Sequence, residues 1–209
     1  MTRSSAPLSL LAVVPVKGFS TAKERLGGLF DAERRRALAM ALAARTTAAW
    51  HEAGHEVIVV AGDDDAAAWA RARDLEVIGE PAGEGLDGAA TAGVAVALAR
   101  GLPWCVTHAD LPLFDARDAA AVAGLAGPDR LVLAPARDGG TNLIAGTRPF
   151  TFAYGPGSFH RHLSAARHAE RVVVVRVGTA LDLDGPDDLA AAIALERGRW
   201  LAASLGWRP

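Results

Sequence analysis

The chain has 209 residues, a length that suits one domain. About half of them are apolar, enough for a large core, and the net charge of -2 excludes the strongly basic face of a general nucleic-acid binder. No stretch approaches the ~18 apolar residues of a membrane span, and the single cysteine, Cys105, rules out an internal disulfide and fits a reducing, cytoplasmic setting.

Arg3 ahead of the apolar run Leu8–Val16 imitates a secretory signal. Pro15 lies inside the run, however, Lys17 ends it, and no small-x-small cleavage site follows, so the run predicts a first strand. Asp31 can cap a helix running to about Ala53, with Gly54 placed to end it. Glu56–Ala61 reads as the second strand. Asp63, Asp64 and Asp65 then supply an N-cap and favourable first-turn charge for a helix over Ala66–Arg73. Glu76–Ile78 is a short strand, Ala89–Arg100 a helix, Trp104–Thr107 a strand and Asp115–Leu125 a helix. Strands over Arg130–Ala134 and Asn142–Ala145 follow. The chain closes with a helix over Ser158–Glu170, a strand over Val172–Val177 and a helix over Pro186–Arg199.

Short apolar runs alternating with Ala-rich helices predict an α/β domain, a mostly parallel sheet flanked by helices on both faces. No repeat or linker divides it. Ligands bind such sheets at the carboxyl ends of the strands, so polar residues there are the candidates.

Directly after the first strand, Lys17, Lys23 and Arg25 put three cations into a loop with Gly18 and small residues, a composition that can wrap a triphosphate. The run Thr107-His108-Ala109-Asp110-Leu111-Pro112 ends an apolar strand in a carboxylate, which is costly to bury without a partner. Magnesium, which takes one or two carboxylates plus waters and phosphate oxygens, would supply one. In Leu181-Asp182-Leu183-Asp184-Gly185-Pro186, period-two spacing at the end of a strand puts Asp182 and Asp184 on one face. Pro186 opens the last helix, with Asp187 and Asp188 as first-turn charges. Two Gly-rich segments, Asp138–Asn142 and Tyr154–Phe159, offer hydroxyls beside free backbone N–H groups, and Ser158 falls at a helix N-terminus, which is an anion site. Alone these are ordinary turns. Beside the carboxylates they suit a phosphate-bearing second substrate. Gly83-Glu84-Gly85-Leu86-Asp87-Gly88 matches the dinucleotide fingerprint formally, but Pro81 separates it from its strand and Glu84 and Asp87 would repel a pyrophosphate.

Taken in order from Leu10 to Ile193, the segments Val-Pro-Val-Lys, Ala-Lys-Glu-Arg-Leu, Ala-Asp-Leu-Pro-Leu, Asp-Gly-Gly-Thr-Asn, Tyr-Gly-Pro-Gly-Ser-Phe and Asp-Leu-Asp-Gly-Pro-Asp-Asp-Leu resemble the guanylyltransferases of deazaflavin coenzyme (coenzyme F-420) biosynthesis. The resemblance implies a Rossmann-like nucleotidyltransferase fold of the glycosyltransferase-A type. It implies transfer of GMP from GTP to phosphoenolpyruvate or 2-phospho-L-lactate, with release of pyrophosphate. It further implies that Asp110, Asp182 and Asp184 bind magnesium, that Thr141, Gly155 and Ser158 hold the phosphorylated acid, and that Lys17, Lys23 and Arg25 serve the triphosphate. Leu86 and Asp87 fall in the nucleotide region, where family members usually carry Leu-Asn, so Asp87 departs from the pattern. The product would be a reactive mixed anhydride, so a downstream transferase is the expected partner, and a homodimer is compatible with the resemblance. The tail from Arg197 to Pro209 lies outside it. Two other readings keep the fold. A sugar-phosphate or molybdopterin nucleotidyltransferase would carry a Gly-rich, Arg-containing loop after the first strand, whereas this loop has only Gly18 before Lys23. A non-catalytic nucleotide-binding protein would have lost the carboxylates.

Overall fold

The computed structural model describes residues 9–205. Arg3 and Leu8, and with them the start of the run read as the first strand, lie outside the described residues. Those residues form a seven-stranded sheet in the order β3-β2-β1-β4-β6-β5-β7. Its strands are β1 (Leu11–Val16), β2 (Glu56–Ala61), β3 (Glu76–Gly79), β4 (Trp104–Thr107), β5 (Arg130–Pro135), β6 (Thr141–Gly146) and β7 (Glu170–Val173). β6 runs antiparallel to both β4 and β5, and the other pairings are parallel.

The helices are α1 (Ala32–Glu52), α2 (Asp64–Arg71), α3 (Gly85–Ala99), α4 (Ala116–Ala123), α5 (Ser158–Ala165), α6 (Val177–Ala180), α7 (Pro186–Ile193) and α8 (Arg199–Ser204). Three of them start where the sequence carries an aspartate cap. The carboxylates of Asp31, Asp63 and Asp115 accept the backbone N–H of Arg34, Ala66 and Arg117. Each cap satisfies a donor the helix cannot, for about 1 kcal/mol.

Alternation along β1 sorts its side chains between two cores. Ala12, Val14 and Val16 pack with α1, α2 and α4 on one face, while Leu11 and Val13 pack with α3 on the other. Both faces are therefore covered, and the polar residues that can meet a ligand are left at the strand ends. A third cluster, built from Leu26, Phe30, Leu38, Leu42, Leu113, Leu181, Leu183 and Leu189, ties the C-terminal helices to the domain.

Four expectations change. The segment carrying Asp182 and Asp184 is extended but pairs with no strand, because Leu181 and Leu183 are anchored in the third cluster and not on a sheet edge. The helix from Ser158 ends at Ala165, and the expected strand over Val172–Val177 is displaced to β7, with Val177 opening the short α6. The last helix breaks after Ile193 into a 3-10 turn at Glu196–Gly198 and then α8. The Gly83–Gly88 stretch opens α3 at Gly85, four residues before the expected start.

Candidate active site

β1 ends at Val16, and the chain turns through Gly18, whose φ of +134° lies in the region that only glycine adopts without strain. Gly62 at the end of β2 lets this turn approach: a Cβ there would lie 2.6 Å from the Lys17 carbonyl oxygen. The loop then places Lys23 in the left-handed region, φ 55° and ψ 39°, an unfavourable conformation for a side chain with a Cβ. Its ammonium offsets that cost. Lys23 Nζ lies 2.7 Å from Asp110 Oδ2 and 3.2 Å from Asp184 Oδ1. Burial disfavours the charged ammonium, but the two carboxylates outweigh it and hold the Lys23 pKa above its ordinary value. Burial likewise opposes ionisation of Asp110, and Lys23 reverses this and lowers its pKa. Arg25 stands at the rim, 79% exposed, with Nη1 3.9 Å from Asp184 Oδ2.

Asp110 follows β4 and Asp184 precedes α7. They meet because Leu183 N–H donates to the Asp110 carbonyl at 3.0 Å. Among the described residues, Asp182 pairs with no cation. Asn142 Nδ2 donates to it at 3.4 Å and to the Thr179 carbonyl at 3.0 Å. Burial, then the Asp110 and Asp184 charges, push the Asp182 pKa up.

Elsewhere in the site, Ser158 Oγ donates to Thr141 Oγ1 at 3.1 Å, and Thr141 Oγ1 lies 2.9 Å from His162 Nδ1. The N-terminus of α5 is less open than its sequence suggests. Ser158 N–H donates to the Gly155 carbonyl and Phe159 N–H to the Gly139 carbonyl. The second bond joins the two Gly-rich segments. Arg161 latches the loop before α5 by donating to the carbonyls of Ala153, Tyr154 and Pro156.

One cleft of about 600 Å³ is lined by Lys17, Lys23, Arg25, Leu86, Asp110, Thr141, Gly155, Ser158, Asp182 and Asp184. Sequence reasoning singled out all ten. Asp87 does not line the cleft. Its Oδ1 accepts Tyr154 N–H at 2.7 Å, so it braces the Gly155–Ser158 loop from behind. His162, Arg161, Asn142 and His108 escaped that reading. The i,i+4 spacing of Ser158 and His162, which puts both on one helix face, is the signal that could have found His162.

Among the described residues, no three His, Cys, Asp or Glu side chains form a group that could hold a metal ion as it stands, and Lys23 Nζ lies between Asp110 and Asp184. Two observations nevertheless fit a cation to this end of the cleft. Asp110 Oδ1 is buried without a hydrogen-bond partner, and the Asp182 carboxylate is half-buried with no positive neighbour. The oxygen donors suit a hard divalent ion.

Comparison with known proteins adds to this geometry. Residues 10–199 match the family described as guanylyl transferase CofC like. The chain is 38% identical over 193 residues to a phosphoenolpyruvate guanylyltransferase of Rubrobacter xylanophilus, covering 88% of this chain and 93% of that one. It is 36% identical over 199 residues to a 3-phospho-D-glycerate guanylyltransferase of Phenylobacterium zucineum, covering 90% and 89%. A nucleotidyl transferase of Methanothermobacter thermautotrophicus shares the fold, with a TM-score of 0.64, 15% identity, and coverage of 93% of this chain and 99% of that one.

Proposed function

This chain belongs to the guanylyl transferase CofC-like family and is a nucleotidyltransferase, and on that premise we propose that it transfers GMP from GTP to phosphoenolpyruvate, releasing pyrophosphate, as a step of coenzyme F-420 biosynthesis. The observation that carries this reading is the shared cleft. Cations, carboxylates and a Thr–Ser hydroxyl pair line it together. Phosphoenolpyruvate is the acceptor named for the Rubrobacter relative, and 2-phospho-L-lactate and 3-phosphoglycerate are its chemical competitors. All three are small acids bearing a phosphate and a carboxylate.

Lys17 and Arg25 meet the β- and γ-phosphates at the mouth, and Lys23 carries a positive charge deeper in. Thr141, Ser158 and the Gly155 turn hold the acid on the opposite side. An oxygen of the acid's phosphate attacks the α-phosphorus. A phosphoanhydride bond forms there while the bond to the β-phosphate oxygen breaks, and the electron pair leaves with pyrophosphate. Phosphate monoesters lose their second proton near pH 6, so the attacking oxygen is already ionised and needs no base. Asp110, Asp182 and Asp184 would hold a divalent cation, magnesium for preference, which when bound neutralises charge on phosphate oxygens. The cationic wall does the same for the leaving group, and each such contact is typically worth ~100- to 1000-fold in rate. The product is a mixed anhydride prone to hydrolysis, so a transferase that consumes it is the expected partner.

The test is to incubate the chain with GTP, magnesium and an equimolar mixture of the three acids and read product mass. A GMP adduct of phosphoenolpyruvate with equimolar pyrophosphate is expected. GTP left unconsumed with every acid would sink the reading.

A further inference from the structure

The wall that holds the acid contains a buried titratable ring that the transfer itself leaves unused. His162 in α5 is fully buried. Its Nε2 lies 2.9 Å from the backbone nitrogen of Ala153. A backbone N–H only donates, so Nε2 must accept and carries no proton. The neutral ring then bears its proton on Nδ1, 2.9 Å from Thr141 Oγ1. Thr141 accepts that bond, and it accepts a second one from Ser158 Oγ at 3.1 Å. Both lone pairs of Thr141 Oγ1 are thereby filled, and the two hydroxyls retain one hydrogen that neither His162 nor the other hydroxyl can take.

We propose that His162 is a positioning residue whose Nδ1–H tautomer turns the Thr141–Ser158 hydroxyl pair into a hydrogen-bond donor toward the cleft, where it meets an oxygen of the acceptor acid. Carboxylate and ionised phosphate oxygens only accept, so a donor is what they require. With the other tautomer, Thr141 would donate to Nδ1, Ser158 to Thr141, and no hydrogen would remain for the acid unless the Ser158–Thr141 bond broke. If the two hydroxyls exchange roles, Ser158 offers the spare hydrogen, and both residues line the cleft.

The surroundings favour the neutral ring. Burial is the main cause that lowers the His162 pKa, to about 4. Asp87 of α3 opposes it, while Arg161 of α5 and His108 beyond β4 add to it. The Asp87 carboxylate is itself engaged by Tyr154 N–H, and the Tyr154 ring lies edge-on to His162 at 5.0 Å.

The assignment of the acid to this wall rests on the proposed function, but the tautomer does not, so two experiments separate them. In a 15N–1H correlation spectrum of the labelled full chain, the imidazole signals that vanish in His162→Asn should show the neutral Nδ1–H pattern from pH 6 to 8. An Nε2–H pattern or a protonated ring would overturn the proposal. In steady-state kinetics, His162→Leu should raise KM for the acceptor acid by about 10- to 100-fold and leave KM for GTP within about twofold. His162→Asn, whose amide nitrogen stands where Nδ1 stood, should recover most of the loss. His162→Gln, whose amide reaches the other end of the ring's space, should not. Equal shifts for both substrates, or an Asn variant no better than the Gln variant, would overturn it. Should the Leu variant not fold, the Asn–Gln contrast carries the same test. An unaltered chain without turnover would sink the function reading, and the spectrum would still decide the tautomer.

Discussion

Lys23 Nζ bridges Asp110 and Asp184, at 2.7 and 3.2 Å, so a cation from the loop after β1 joins two carboxylates that are 74 residues apart in the chain. Lys23 thus neutralises the end of the cleft, and in the proposed reaction it also faces the phosphates. On the alkaline side, the raised Lys23 pKa keeps the ammonium charged up to and beyond the ordinary lysine value, and its contribution is lost as pH rises through the higher folded value. The lowered Asp110 pKa gives the other edge, with stability present above the ordinary carboxylate value and lost as pH falls below it.

Replacing Lys23 by Met should therefore act on stability as well as on turnover. It leaves Asp110 without a counter-charge and Asp184 with only the exposed Arg25, and breaking a largely buried pair costs about 3 kcal/mol. Urea unfolding of Lys23→Met without divalent cations should show that loss, and added magnesium should recover part of it by binding the freed carboxylates. A variant as stable as the parent and indifferent to magnesium contradicts this account of the bridge.

Asp87 supports, through Tyr154 N–H, the loop proposed to bind the acid. Asp87→Ala should raise KM for the acceptor acid about tenfold, more than it raises KM for GTP, because the loop that carries Gly155 and Ser158 loses its brace. Asp87→Asn keeps an accepting oxygen and should stay close to the parent. Initial rates with each substrate varied in turn would show the split. A selective rise in KM for GTP would instead put Asp87 in the nucleotide site.

The titration of His162 predicts a pH profile. Its folded pKa, about 4, lies below the ordinary 6.5, so the neutral ring contributes stability that is full above 6.5 and lost as pH falls toward 4. At about 1.4 kcal/mol per unit, the window is worth about 3 kcal/mol. The pKa of buried His55 is also lowered by desolvation, but its share cancels in a difference. The unfolding free energy of His162→Asn minus that of the parent should therefore grow more favourable between pH 7 and 5. A flat difference would mean that His162 takes up its proton alike in the folded and unfolded chain, which contradicts the lowered pKa.

Asp118 is a control that does not line the cleft. It is fully buried, with Arg176 at 2.6 Å and Arg197 at 2.8 Å, and so clamps α4 to the C-terminal segments. Asp118→Ala leaves two guanidinium groups facing an empty space and should cost about 3–5 kcal/mol. Thermal melting should fall by roughly 6–20 °C for a chain of this size, with both KM values unchanged at a temperature where the variant is folded.

What could be read in the sequence was local. Asp31, Asp63 and Asp115 cap helices through partners two or three residues away, and Glu56–Ala61 and Trp104–Thr107 form strands with the bounds expected, because continuous apolar runs suit strands buried on both faces. The cleft residues were legible because strand ends and glycine turns mark where a sheet meets its ligand. Asp182 and Asp184 were misread as strand because alternation fixes which side chains turn inward and says nothing about a hydrogen-bonding neighbour. Leu181 and Leu183 turn inward into the third cluster with no strand beside them. The antiparallel course of β6 and the seat of Lys23 between carboxylates 87 and 161 residues away depend on contacts that no local pattern carries. The i,i+4 spacing from Ser158 puts His162 on the same helix face, but its roles come from Ala153 and Thr141 on other segments.

The most direct test of the whole account is pyrophosphate release from GTP and phosphoenolpyruvate with magnesium, comparing the parent chain with Asp110→Ala. The account predicts steady release by the parent and a loss on the order of a thousandfold or more in the variant. Release by Asp110→Ala at the parent's rate would contradict it, because the carboxylate that pairs with Lys23 and stands ready for a cation would then have no part in the transfer.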